Sequence, residues 1–273
     1  MIYIRKQRTP DTVRKRAKEL TDASENDFNS ITLPKDTKQL RDLFDQMPKS
    51  EIMSALYKEQ HGLCAYCMRQ IDPSKPGSAR IEHYEALSKN KEKALDYQNY
   101  LAVCNGGERT DEDDRELEES EQKEKKKIRV LCCDAARGEK ELTINPWDKR
   151  QMEAIGYKKN GEIIVLDNKG LDQELVKKMQ NDIDHVLVLN GIKNDNGQVI
   201  YDTDTKLVAK RKNIYESVCQ EFERWDKQKR LTRDFLKDII EKCENMMNRD
   251  GIAEEYIGER LYFYRKKYRK MKK

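Results

Sequence analysis

The stretch His61-Gly62-Leu63-Cys64-Ala65-Tyr66-Cys67 opens a window that continues through Arg80-Ile81-Glu82-His83-Tyr84-Glu85 and Asn99-Tyr100-Leu101-Ala102-Val103-Cys104-Asn105. It closes on Cys132-Cys133-Asp134-Ala135-Ala136-Arg137-Gly138. Of the 7 cysteines and 3 histidines in the chain, Cys64, Cys67, Cys104, Cys132, Cys133, His61 and His83 lie inside it. Cys64 and Cys67 have the C-x-x-C spacing that lets one tight turn aim two thiolates at a single zinc ion. A structural zinc takes four ligands. Cys104 and Cys133 are the candidates for the other two places, with Cys132 the alternative for the last. No strand-and-helix redox context surrounds the pair, and later cysteines are on hand to close a tetrahedron. The spacing therefore points to zinc rather than to thiol–disulfide exchange. His61 reads as a capping or packing residue.

Between the cysteines stands Glu82-His83. A carboxylate followed by an imidazole on a short strand can divide two tasks: Glu82 holds a catalytic divalent ion, and His83 takes a proton from water. Asn99 follows, and an amide there can fix the imidazole from behind. Singly, such a His or Asn is more often a packing, turn or cap residue. In this order, framed by zinc-type cysteines, the three form a specific pattern.

The order C-x-x-C, Glu-His, Asn, Cys, Cys-Asp resembles the zinc-containing HNH, or ββα-metal, nucleases. Within them it is similar to the PtuB-type HNH nuclease subunits of Septu and retron-associated anti-phage systems. The likeness is carried by Ala55-Leu56-Tyr57-Lys58-Glu59-Gln60 running into the C-x-x-C, by Ile81-Glu82-His83-Tyr84, by the run from Asn99 to Cys104, and by Cys133-Asp134 ahead of Ile144-Asn145-Pro146. Met1-Ile2-Tyr3-Ile4-Arg5-Lys6, Leu187-Val188-Leu189-Asn190, Leu207 and Arg211 fit as well. It touches most of residues 1–215, and the C-terminal stretch beyond is unmatched. The resemblance implies an α+β fold, a ββα-metal core with zinc-knuckle cysteines embedded in a mostly helical protein. It implies His83 as general base, Asn99 as its orienter, and Glu82 as a ligand of the catalytic ion or a carboxylate supporting one. At the last catalytic position, where the family has His or Asn, this chain has Asp134, which suits a hard divalent ion; Asn105 is the alternative. The implied cofactors are a structural Zn²⁺ on Cys64, Cys67, Cys104 and Cys133, and a catalytic Mg²⁺ or Mn²⁺ on Glu82 and Asp134. The implied activity is cleavage of DNA or structured RNA. The implied partners are phage or plasmid DNA and an ABC-type or SMC-like ATPase of the same defence system. The chain has no phosphate-binding glycine loop, so ATP would bind on that partner.

Composition bounds the rest. A chain of 273 residues allows one large or two small domains. Charged residues make up 39% and hydrophobic ones 36%, a polar chain that still has material for a core. The net charge of +4 is no polycation, so any nucleic-acid surface must come from local clustering. No apolar run is long enough for a bilayer, and the N-terminus has no apolar signal segment. Clustered cysteines without a secretion signal fit a reducing cytoplasm. A cytoplasmic protein with no membrane partner is expected.

Three regions are expected: an N-terminal strand and helices over 1–50, the zinc-containing nuclease module over 51–149, and a mostly helical region with a basic tail over 150–273. The first holds a short strand at Ile2–Ile4, a helix from Pro10 through Leu20, a loop over 21–36, and a helix bearing Leu40, Leu43, Phe44 and Met47. Pro48 ends that helix, and Ser50 caps the next. The second has a strand over Arg80–Tyr84, a partly helical link from Ser88 to Tyr97, and a solvated, highly charged run from Glu108 to Lys127. The third has a hairpin on a two-residue Asn160-Gly161 turn and a helix over Leu171–Leu187 with His185 packed on it. It then has two helices with Cys219 and Cys243 among their apolar positions. The tail carries Arg260, Arg265, Lys266, Lys267, Arg269, Lys270, Lys272 and Lys273 interleaved with Tyr262, Phe263, Tyr264 and Tyr268. Either the cations meet phosphates while the rings stack on bases, or the rings pack in an amphipathic helix. The competing function is a non-catalytic zinc-binding module that docks nucleic acid or a partner protein. It needs the cysteines but not Glu82, His83 and Asn99 together. A redox protein is the third reading.

Overall fold

Two antiparallel strands lie at the centre. In the computed structural model, which describes residues 1–25, 36–75, 77–108, 128–167, 170–247 and 251–271, β1 (Ala79–His83) pairs with β2 (Tyr100–Cys104). Ala79 faces Cys104 and His83 faces Tyr100. Beyond Glu108, the charged run to Lys127 lies outside the described residues, as do 26–35 of the N-terminal loop, Pro76, Lys272 and Lys273. Every residue of β2 is buried, as its unbroken apolar run requires. Helix α3 (Lys49–Glu59) covers the pair and buries Ile52 and Leu56. Helix α1 (Asp11–Glu25) packs on α3, and α2 (Thr37–Asp45) sets Phe44 against His83 and Tyr100 of the strands. The Asp36 carboxylate caps α2 by accepting from the Lys38 N–H. A short helix, α4 (Cys133–Arg137), packs on β2.

Three local expectations need correction. Pro48, not Ser50, occupies the N-cap of α3, where its missing N–H costs nothing. Residues 2–4 show the expected alternation, Ile2 and Ile4 buried and Tyr3 exposed. They join no strand among the described residues: Ile4 N–H bonds to the Pro146 carbonyl at 2.9 Å, one rung and not a ladder. The third is the Asn160-Gly161 hairpin, which follows the short helix α5 (Lys149–Glu153) and is formed by β3 (Ile155–Tyr157) and β4 (Ile163–Val165). Its loop has three residues, because Lys158 N–H bonds to Glu162 O at 2.9 Å and Gly161 N–H to Lys158 O at 3.1 Å. Gly161 is at φ +88°, and a Cβ there would stand 2.1 Å from the Val208 carbonyl oxygen.

Helix α6 (Gln173–Asn181) passes into a π turn over Asp182–Val186. The turn aims the Asp182 carboxylate at the N–H groups of Thr143 and Ile144, at 2.6 and 2.8 Å. It also leaves His185 exposed rather than packed. A small pair, β5 (Ile192–Lys193) and β6 (Val199–Tyr201), leads to three helices, α7 (Leu207–Lys227), α8 (Arg233–Met247) and α9 (Ile257–Lys270). Helix α9 packs on both α7 and α8. Its rings lie against Tyr157, Tyr215 and Phe222, with centroids 5.6, 4.9 and 5.9 Å from Tyr262, Phe263 and Tyr264 respectively. The tail aromatics thus follow the packed-helix reading, while Cys219 and Cys243 are half-buried. One continuous hydrophobic core runs from Met1 to Tyr264 and takes in the clustered cysteines. Among the described residues no helix is long and apolar enough to cross a membrane.

Candidate metal centre and catalytic site

The cysteine knuckle is stitched to the strands by one buried amide. Gln60 Nε2 donates to the carbonyls of Leu63 and Ala102 at 2.9 and 2.7 Å, and its Oε1 accepts from Ala102 N–H at 2.8 Å. The turn closes when Cys64 N–H bonds to Arg69 O at 2.8 Å and Met68 N–H to Cys64 O at 3.0 Å. Two thiols are thereby aimed at the end of β2, where Cys104 stands.

The Sγ atoms of Cys64, Cys67, Cys104 and Cys133 all lie within 4.8 Å of one another, and all four residues are buried. Cys64 and Cys133 are separated by 3.9 Å, Cys67 and Cys104 by 3.7 Å. A tetrahedral zinc with bonds of about 2.3 Å requires sulfur–sulfur edges of about 3.8 Å. The group can hold a metal ion such as zinc. Cys132, the alternative for the last place, falls outside this group: its Sγ stands 3.5 Å from both Gly106 O and Thr205 Oγ1, although it also lies beside the Cys104 thiol. Arg69 lies beside the cluster. Its Nε and Nη1 are buried without hydrogen-bond partners. Burial works against the charged guanidinium, but the thiols of Cys104 and Cys67 more than offset this and raise its proton affinity. Such a cation suits the net double negative charge of a zinc ion in four thiolates. His61 is no ligand; its carbonyl accepts from Ala253 N–H at 2.8 Å and ties the knuckle to the segment before α9.

Along β1 adjacent side chains point to opposite faces, so Glu82 and His83 face different surroundings. Glu82 is buried. Its Oε1 accepts from Tyr66 OH at 3.2 Å and from Arg137 Nη1. Burial and the adjoining Asp134 carboxyl push the Glu82 pKa well above the ordinary range, with Arg137 opposing. Asp134, in the first turn of α4, stays partly exposed, 4.0 Å from Arg80 Nη1. Glu82 and Asp134 thus lie side by side. Asn105 is not their partner, since it builds a turn by accepting from Gly107 N–H at 3.3 Å and donating to Glu108 O at 3.0 Å.

Arg137 escaped the sequence reading. It is 2% exposed and donates to Glu82, to the carbonyls of His83 and Tyr84, and through Nε to Lys140 O at 2.8 Å. It fastens α4 to β1. An Arg at the end of so short a helix carries no signal that separates such a buried clamp from a solvated side chain.

His83 Nε2 lies 2.9 Å from the Ala94 carbonyl oxygen. A carbonyl only accepts, so Nε2 carries the hydrogen and Nδ1 the lone pair. The rings of Phe44 and Tyr100 flank the imidazole edge-on at 4.6 and 4.9 Å. Burial lowers the His83 pKa; the Ala94 bond and Asp134 oppose this, and the Arg41 and Lys49 cations add to it. The net lowering keeps the ring neutral near pH 7. Asn99 does not touch this ring, contrary to its expected part as orienter. Its Oδ1 accepts from Glu85 N–H at 2.8 Å, and its Nδ2 donates to Glu85 O at 3.0 Å and Lys93 O at 3.3 Å. A 3₁₀ turn over Tyr97–Asn99 aims the amide into the 84–99 connection, which presents the Ala94 carbonyl. Asn99 therefore braces the connection that carries the Ala94 carbonyl.

No protein-family model matches the chain, and no curated protein is found similar to it.

Proposed function

We propose that this chain is a metal-dependent endonuclease of the HNH type. In this reading it cleaves DNA or structured RNA as the cytoplasmic effector subunit of an anti-phage defence complex governed by a partner ATPase. The observation that carries the reading is the state of His83: a neutral imidazole, its Nε2–H fixed by Ala94 O, on a strand whose neighbouring carboxylate meets Asp134. The order of elements, two antiparallel strands and then a short helix with four cysteines closing the unit, supports it. Zinc is the metal assigned to Cys64, Cys67, Cys104 and Cys133.

In this mechanism Nδ1 of His83 accepts the proton of the attacking water. The Ala94 carbonyl stabilises the imidazolium that results, because it already accepts the opposite N–H. Asp134, with the Glu82 oxygen that Arg137 leaves free, would hold Mg²⁺ or Mn²⁺, which when bound neutralises charge at the phosphate. Arg137 keeps Glu82 aligned. Arg41 and Lys49, close enough to act on His83 electrostatically, favour an anionic substrate beside it.

His83→Ala should lower cleavage of plasmid DNA by the assembled complex about a hundredfold to ten-thousandfold. Zinc content and partner binding should be unchanged. One observation favours the second reading, a non-catalytic zinc-binding module that docks nucleic acid or a partner protein: the Arg137 guanidinium already neutralises Glu82. Undiminished cleavage by His83→Ala would leave that reading in place.

A further inference from the structure

A concavity adjoins His83. A cleft of about 650 Å³ lies between α3 and the strand face of β1 that carries Ala79, Ile81 and His83. That volume is in the range of small-molecule sites, roughly 300–1,000 Å³. Phe44, Met53 and Ile81 supply apolar wall, Ser50 and Ser54 supply hydroxyls, and Lys49 supplies a cation. Phe44 belongs to both places. Its ring is 4.6 Å from the imidazole of His83, and Lys49 Nζ stands 5.0 Å over it. Lys49 and Arg41 are engaged with Asp45 and Glu139 in exposed ion pairs. Exposed pairs are worth little, so both cations can exchange their partners for a phosphate.

A ligand fitting this arrangement is flat and apolar at one end, offers hydrogen-bonding edges to hydroxyls, and is anionic at the end nearest His83. The geometry points to a nucleobase pocket: the cleft takes one unstacked base of a single-stranded or locally unpaired nucleic acid, with the phosphate of that nucleotide directed to His83. The inference rests on the reading of His83 as the base that acts on a phosphodiester. It adds the substrate class, since a base can enter only when out of its duplex stack.

Binding is measured without turnover, on the full chain with zinc retained and no Mg²⁺ or Mn²⁺ added, by fluorescence anisotropy. The probes are a short single-stranded DNA and the same strand made entirely of abasic sites. The intact strand should bind about tenfold more tightly. Met53→Trp, which fills the cleft, should remove that preference while leaving affinity for the abasic strand unchanged. In the unaltered protein, thymidine 5′-monophosphate should bind more tightly than deoxyribose 5-phosphate. Equal binding of intact and abasic strands, or of the two monophosphates, would overturn the inference and give the cleft to a side chain of a protein partner. If His83→Ala retains full cleavage while the base preference holds, the catalytic assignment fails and the pocket stands. If His83→Ala loses cleavage and no base preference is found, the catalytic assignment stands and the pocket fails.

Discussion

Cys132 and Cys133 are neighbours and both thiols lie beside Cys104, yet only Cys133 closes the four-sulfur group. Cys132 is extended, at φ −141°, and hands its thiol to Gly106 O and Thr205. Cys133 sits at φ +55°, a left-handed conformation unusual for a residue with a side chain, and that backbone turn swings its thiol into the cluster. Cys133→Ser should therefore abolish stoichiometric zinc, and Cys132→Ser should retain it; metal analysis of the two purified variants decides between them. The C-x-x-C and Cys104 were legible in spacing. The choice between adjacent cysteines was not, because the sign of one φ angle is set by α4 docking on β2. His83 was legible as a candidate base, whereas its partner was not: a backbone carbonyl has no sequence signature. The lowered His83 pKa adds a pH expectation. The base must be neutral to accept a proton, so the rate rises as pH climbs through its pKa and then levels off. The acid limb of the cleavage profile should fall below the ordinary histidine value of 6.5. A midpoint at or above that value would mean that the titrating group is not this buried ring.

At the scale of elements, β2 is anchored by side chains outside the sheet. Gln60 bonds both backbone groups of Ala102 at the middle of the strand, and the 84–99 connection with Asn99 at its root closes the pair at its His83–Tyr100 end. Asn99 is 3% exposed, and its amide satisfies three backbone groups. Asn99→Ala leaves those groups buried and unpaired, which should cost about 1–3 kcal/mol of stability in chemical denaturation. It should also slow cleavage less than His83→Ala, because the imidazole keeps its proton-accepting nitrogen and loses only the firm placement of Ala94 O. Unchanged stability would mean that water replaces the amide. The helices at 37–45, 207–227 and 233–247 were readable from their three-and-four apolar rhythm, and the one at 11–25 from Pro10 at its start. The π turn after α6 was not. Its apolar spacing continues smoothly through Ile183 and Val186, and the widened turn exists because Asp182 binds two N–H groups 38 and 39 residues earlier in the chain.

For the whole molecule, the four-cysteine cluster and the C-terminal helices share one core, though the chain reads as three successive regions. Cys64, Cys67, Cys104 and Cys133 belong to the same hydrophobic cluster as Leu261, Phe263 and Tyr264. The join is direct. Tyr256 N–H bonds to Met68 O at 3.1 Å, Gln70 N–H to the Glu255 carboxylate at 2.9 Å, and Gly258 lies so close that an added Cβ would stand 2.8 Å from Met68 Sδ. The knuckle turn places both Met68 and the C-x-x-C thiols, so what holds those thiols also holds the seat of α9. Four buried thiols without a cation lose that hold, and metal-binding energy in such sites is folding energy. Chelation should therefore melt α7, α8 and α9 together with the knuckle. Far-UV and near-UV circular dichroism should fall in one transition, and its midpoint temperature should rise with free zinc, by mass action on the folded state. If the helical signal survived chelation while only the tertiary signal near the knuckle was lost, the shared core would not transmit the loss, and the C-terminal helices would have to fold independently of the metal centre.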